Sequence, residues 1–168
     1  TVVATDKTGT LTYGEMMTQR IWVDGRTYAV SGNGYQTEGQ FTVDNSVVSS
    51  REEAGLDLAL RIGALNNDSR FTLNADGHRQ PVGDPTELAL LVAAEKGGWT
   101  QNELEILHPR LGEIPFDAKY KRMVTWHQQT GGVLGTLKGA PAEVLDHCAT
   151  IWTAQGAVPL TAEKRREI

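Results

Sequence analysis

The sequence predicts an α+β domain, a mainly antiparallel β-sheet, read as one sheet, flanked by helices. Two observations predict it. Strand-like runs arrive in neighbouring pairs joined by tight turns: Met16 to Val23 with Arg26 to Val30 across Asp24-Gly25, and Met123 to Gln128 with Gly132 to Leu137 across Gln129-Thr130-Gly131. The regular strand-helix-strand alternation of a parallel sheet is missing. At 168 residues and 39% hydrophobic composition, the chain is long enough to bury one substantial core.

From the N-terminus, Thr1-Val2-Val3-Ala4-Thr5 is strand-like and a turn-rich stretch runs to Gly14. After the first hairpin, Gly32-Asn33-Gly34 and Gly39 punctuate a loop that lacks the third glycine of a dinucleotide-binding turn and opens no helix. Ser50-Arg51-Glu52-Glu53 has the form of a capping box ahead of Leu56, Leu60 and Ile62, so a helix is expected to about Leu65, stopped by Asn66-Asn67-Asp68. Asn74-Ala75-Asp76-Gly77 is a turn. Asp84-Pro85-Thr86-Glu87 then supplies an N-cap, a proline at the first helical position and a glutamate three residues after the cap. Leu88, Leu91 and Val92 form the buried stripe of that helix, which ends near Gly97-Gly98. Ile114 to Phe116 is a further strand, Gly139-Ala140-Pro141 turns into a short helix over Ala142 to Cys148, and Thr161 caps a last helix. A start without Met inside a strand and a stop at Ile168 inside a helix are expected of a piece excised from a longer protein.

The net charge of −5, with Lys+Arg 16 against Asp+Glu 21, provides no broad positive field for nucleic acid or anionic lipid. An anionic ligand must be held by locally placed cations. The single Cys148 excludes an internal disulfide and reads as a small buried hydrophobe near a helix end. His78, His108, His127 and His147 lack metal-ligand spacing. The longest apolar run, Leu88 to Ala94, falls far short of the ~20 residues that cross a bilayer.

Four segments carry chemistry. Asp6-Lys7-Thr8-Gly9-Thr10-Leu11-Thr12 puts a carboxylate at the C-terminal end of a strand, followed by small hydroxyl residues and glycine, a setting suited to accepting a phosphoryl group. In Gly83-Asp84-Pro85-Thr86-Glu87 the glutamate is a suitable acceptor for an exocyclic amine, and it stands equally where a capping-box residue would. Ile114-Pro115-Phe116-Asp117-Ala118-Lys119-Tyr120-Lys121-Arg122-Met123 offers an aromatic face and, five residues later, a lysine able to reach ribose or phosphates. Alone, Phe116 would more often be core and the basic cluster a solvated strand end. Lys138-Gly139-Ala140-Pro141 combines a lysine ending a strand, a glycine that admits close approach and a helix start. Alone, that lysine would be an ordinary surface residue. No P-loop is present.

At these residues the sequence resembles the P-type ATPases, over nearly the whole chain. The resemblance implies that Asp6 is the phospho-acceptor and that Thr8 gives its main-chain carbonyl to Mg2+ and its hydroxyl to the phosphate. It makes Glu87 the adenine contact, Phe116 the stacking residue, Lys121 the cation, Met123 a pocket residue, Lys138 a nucleotide-pocket lysine and Gly139 a close backbone neighbour. Ala118 and Tyr120 depart from the family pattern, which often has polar or basic side chains there. Residues 1–12 would belong with the phosphorylation domain and hinge, and residues 13–168 would be the nucleotide-binding domain. The implied cofactors are ATP and Mg2+; the implied partners are the phosphorylation, actuator and transmembrane domains of one pump, with this domain on the cytoplasmic side. The Gly32, Gly34 and Tyr35 loop, together with Gly83-Asp84-Pro85-Thr86-Glu87 and Lys138-Gly139-Ala140-Pro141, is more similar to the calcium or sodium/potassium branch than to the heavy-metal branch. The family's downstream aspartate pair and phosphate lysine have no counterpart, so the chain is expected to bind nucleotide without turnover. Two rival readings stand beside this one. A soluble phosphatase of the haloacid-dehalogenase class shares the strand-end aspartate but favours a second aspartate where Thr8 stands; a regulatory nucleotide-binding module would need no catalysis.

Overall fold

A computed structural model describes residues 15–168, so Asp6, Thr8 and their motif lie outside the described residues. The first hairpin joins β1 (Arg20–Val23) to β2 (Arg26–Val30), with Ile21 opposite Tyr28. Its turn residues Asp24 (φ 54°) and Gly25 (φ 72°) both take the left-handed conformation that matches the twist of the flanking strands. Asp44-Asn45 makes an equivalent turn between β3 (Phe41–Val43) and β4 (Ser46–Val48), which completes a ladder ordered β1-β2-β3-β4.

α1 (Ala54–Leu65) follows, but not from the expected capping box. Its N-cap is Glu53, which makes no side-chain cap bond; the Glu53 carboxylate instead accepts from Arg26 (2.6 Å) and the Tyr28 hydroxyl (3.0 Å). Ser50 donates to the Gly97 carbonyl (3.1 Å). Both residues of the supposed box are committed to other elements, and these bonds override the local cap. Asn66 ends the helix as expected.

The Asn74–Gly77 turn links β5 (Arg70–Leu73) and β6 (Arg79–Val82). α2 (Pro85–Lys96) starts as its sequence demands, with the Asp84 carboxylate accepting from the Thr86 and Glu87 amides. The next helix, α3 (Gln101–Leu107), was not expected, although Thr100 and Glu103 form a complete capping box there. A meander of β7 (Arg110–Asp117), β8 (Arg122–Gln129) and β9 (Gly132–Gly139) follows, then α4 (Pro141–Asp146), a hairpin of β10 (Thr150–Thr153) and β11 (Gly156–Pro159), and α5 (Ala162–Glu167) capped by Thr161.

Every described strand pairing is antiparallel, and the α+β class holds. The expectation of a single sheet does not: the strands divide among four separate ladders. Proline explains part of the division. Pro115 in β7 and Pro81 in β6 have no N–H to offer a further strand, and the β7–β8 register shifts between Ile114 and Asp117.

Tyr28, Val30, Phe41 and Val43 of the first ladder pack with Leu56 and Leu60 of α1, Leu91 and Ala94 of α2, and Leu104 of α3. The meander adds the inward side of β8, where Met123, Thr125 and His127 alternate. Polar members of that row are satisfied internally. His127 Nδ1 lies 3.0 Å from the His108 carbonyl and so carries the proton; Nε2 accepts from Thr125 Oγ1 (2.8 Å), which accepts from Thr136 Oγ1 (2.6 Å). Burial pushes the His127 imidazole below its ordinary value, in favour of the neutral ring that this chain of bonds requires.

Candidate functional site

The N-terminus of α2, the β7–β8 connection and the β9–α4 junction meet around a cleft of about 540 Å³, lined by Asp84, Thr86, Glu87, Phe116, Lys121, Lys138, Gly139 and Ala140. Three segments far apart in sequence thus deliver the predicted Glu87, Phe116, Lys121, Lys138 and Gly139 to one place. Met123 is the exception among described site residues: it is buried in the core, and it does not line the cleft. Inward alternation along β8 explains this, since Met123 shares its face with Thr125 and His127.

Phe116 is 60% exposed, which removes it from the core and leaves its ring free for a ligand. The turn after it is built by Asp117, whose carboxylate accepts from the Lys119 amide (2.7 Å) and the Tyr120 amide (3.2 Å), while its carbonyl accepts from the Lys121 amide (2.6 Å). Lys121 sits at φ 47°, a left-handed conformation that costs a side-chain-bearing residue about 1–2 kcal/mol. Strain of this kind gathers at ligand clamps.

Gly139 has a reason of its own to be glycine. A Cβ there would collide with the Lys121 carbonyl and stand 2.9 Å from Arg122 Cα. The tight crossing lets the Ala140 amide donate to the Lys121 carbonyl (2.9 Å), which fastens the β9–α4 junction to the Lys121 turn. The glycine serves the chain's own backbone whether or not a ligand is near.

Glu87 does not act as a capping-box residue, because the Asp84 amide donates to Ser69 Oγ (2.8 Å) instead. Its Oε1 accepts from Lys138 Nζ (2.6 Å), and its Oε2 accepts from the Asp68 amide (3.1 Å), the Ser69 amide (3.0 Å) and the Ser69 hydroxyl (2.8 Å). Burial pushes this carboxyl up, but the Lys138 and Ser69 hydrogen bonds outweigh it and hold the group below its ordinary range. Lys138 also donates to the Asn66 carbonyl (2.7 Å), and among the described residues one of its three N–H groups has no acceptor. The lysine is therefore anchored beside Glu87 rather than loose at the surface.

Sequence reasoning missed the Asn66–Ser69 loop as part of the site. Asn66 donates to the Met123 and Thr136 carbonyls (3.3 and 2.9 Å), and Asn67 donates to the Glu87 carbonyl (2.8 Å). The available signal was a run of small polar residues directly after a helix, which reads only as a stop because its partners lie far away in sequence. Among the described residues no group of three or more His, Cys, Asp or Glu side chains could hold a metal ion, and no helix is long and apolar enough to cross a membrane.

The family model described as "P-type ATPase, cytoplasmic domain N" matches residues 55–168, which contain the whole cleft. The chain is 38% identical over 162 residues to "Cation-transporting ATPase pma1" of Synechocystis sp., covering 93% of this chain and 18% of that protein. It is 34% identical over 168 residues to a "Calcium-transporting ATPase" of Bacillus subtilis, covering 99% and 19%, and 28% identical over 169 residues to "Sodium/potassium-transporting ATPase subunit alpha-2" of Rattus norvegicus, covering 96% and 16%. The chain thus spans about a fifth of the length of these relatives. With the family match extending over the helices, the meander and the cleft they form, the chain belongs to the P-type ATPase cytoplasmic N-domain family.

Proposed function

We propose that the cleft binds an adenine nucleotide, with Phe116 stacking on the base, Glu87 accepting from the exocyclic amine and Lys121 facing the phosphates. The observation that carries this is the convergence of an exposed aromatic ring, an ionised carboxylate and two lysines on one cleft of about 540 Å³, a size in the range of small-molecule sites. Glu87 Oε1 keeps a lone pair beyond the one given to Lys138, so an amine donor has an acceptor already aimed. Lys138, tied to Glu87, belongs to the base end of the site, and Lys121 is left as the cation for the phosphates. Mg2+ would arrive with the phosphates of ATP; its assigned protein contacts, Asp6 and Thr8, lie outside the described residues.

In the whole protein this domain serves as the nucleotide carrier of a P-type pump. ATP held at its base presents the γ-phosphate to Asp6, whose carboxylate displaces ADP and forms an aspartyl-phosphate, and hydrolysis of that phosphate is coupled to cation transport. The names of the relatives, which include calcium- and sodium/potassium-transporting ATPases, support cation transport as the work. The partners are the phosphorylation, actuator and transmembrane domains of the same pump, and the site of action is the cytoplasmic face of a membrane. The chain alone binds without turnover, and the family match favours this reading over a haloacid-dehalogenase-type phosphatase or a separate regulatory module.

The test is an NMR titration of the chain with ATP, ADP and AMP. Affinity is expected on the order of sub-millimolar to millimolar. Phe116→Ala should weaken all three alike by about 1–3 kcal/mol, because each carries the same base. Unchanged binding in that variant would remove the site assignment.

A further inference from the structure

We propose that Ser69, which does not line the cleft, is a positioning residue for base recognition: its hydroxyl fixes the Glu87 carboxylate so that Oε1 faces an adenine amine. The proposal rests on the nucleotide reading above.

Ser69 is 1% exposed and lies at the end of the loop that follows α1. Its hydroxyl accepts from the Asp84 amide (2.8 Å), and its one proton has two acceptors in reach, Glu87 Oε2 at 2.8 Å and the Asp84 carbonyl at 3.4 Å. The shorter bond takes the proton. With the Asp68 and Ser69 amides on the same oxygen, Oε2 is turned wholly toward the protein. Oε1 is then the only carboxylate oxygen left to a ligand. A glutamate carries several soft torsions, and without this clamp the carboxylate would swing about the Lys138 ammonium.

Two further features make the hydroxyl part of a built device. Gly83 has φ 124°, a region closed to other residues, and a Cβ there would strike Ser69 Oγ. From the far side, Arg110 donates to the Leu65 carbonyl (3.1 Å), the Asn67 carbonyl (2.6 Å) and the Asp68 carboxylate (2.6 Å), and Gln101 donates to the Ser69 carbonyl (3.1 Å). The loop is gripped from behind while it grips Glu87 in front.

The experiment compares ATP with purine riboside triphosphate, which has hydrogen in place of the amine and no N–H on that edge of the base, on the full 168-residue chain and its Ser69→Ala variant. Ser69→Ala should weaken ATP by about three- to tenfold, the net size of an ordinary lost hydrogen bond, and leave purine riboside triphosphate unchanged. In a Glu87→Gln background the same substitution should leave the ratio of the two nucleotides where it is, because the two residues act as one unit. The Glu87 carboxyl, followed by NMR, should titrate at higher pH once Ser69 is gone. Parallel loss of both nucleotides, an additive double mutant or an unmoved Glu87 titration each overturns the positioning role. If the parent chain binds neither nucleotide, the nucleotide reading itself fails, and the Glu87 titration still decides whether Ser69 holds that carboxylate. Should Ser69→Ala not fold, Ser69→Cys, with a weaker donor of similar shape, carries the same comparisons.

Discussion

Lys121 illustrates a side chain retained where the backbone would prefer none. Its left-handed φ costs about 1–2 kcal/mol, and glycine would relieve that while adding about 0.5–1 kcal/mol of unfolded-chain entropy. Lys121→Gly should therefore alter stability by no more than about 1.5 kcal/mol in urea unfolding, while ATP affinity falls more than AMP affinity. Equal losses for the two nucleotides would move this lysine away from the phosphates. Two other residues govern the response to acid. His127 is held below the ordinary 6.5 by burial, so the unfolded chain takes up that proton first, and stability is lost as pH falls from 6.5 through the folded value. Glu87 is held below 4.5 and contributes stability above that value, lost as pH falls through its lower folded value. Urea titrations across pH should show an upper limb flattened by His127→Gln and a lower limb flattened by Glu87→Gln. An upper limb identical to the parent's in His127→Gln would contradict the neutral buried imidazole.

Among the elements, α2 links cap to site, since Asp84 holds the Thr86 and Glu87 amides of its first turn. Asp84→Ala should cost about 1 kcal/mol and Asp84→Asn only a fraction of it, because asparagine caps nearly as well. Chemical denaturation measures both, and equal losses would assign the effect to the charge. This element was legible because Asp, Pro and Glu stand at fixed spacing inside one segment, and the Asp24-Gly25 hairpin was legible for the same reason. Recognition of Phe116, Lys121 and Lys138 as members of one site came from their motifs rather than from any local rule. What stayed hidden depends on partners far along the chain. Glu53 abandons its expected box for Arg26 and Tyr28, and Ser69 meets Glu87 at a sequence separation of 18. Met123 was misplaced because a motif does not say which side of a strand faces the core. The division into four ladders turns on where strand pairing stops, and alternation within a strand carries no information about that. α3 is a different case, since its Thr100 and Glu103 box lay in plain view.

At the scale of the molecule, a ligand that binds only the folded cleft must raise its stability by mass action. At about ten times a millimolar dissociation constant, ATP should add roughly 1.4 kcal/mol and raise the melting temperature by a few degrees. Calorimetry with and without nucleotide checks it, and a shift undiminished in Phe116→Ala would trace the effect to some other site. The side of β7 that no described strand pairs has a quite different consequence. Leu111, Ile114 and Phe116 are all exposed on this strand, and Pro115 interrupts its free N–H row. If Phe116 stacks on a base as proposed, the strand that shows this ring to solvent is also the strand most inclined to recruit a second copy, and ligand affinity and colloidal solubility would compete for the same residues. Pro115→Val should leave Phe116 in place yet produce concentration-dependent association in sedimentation. A substitution that enlarges the apolar surface of β7 is therefore expected to raise self-association together with any gain at the cleft.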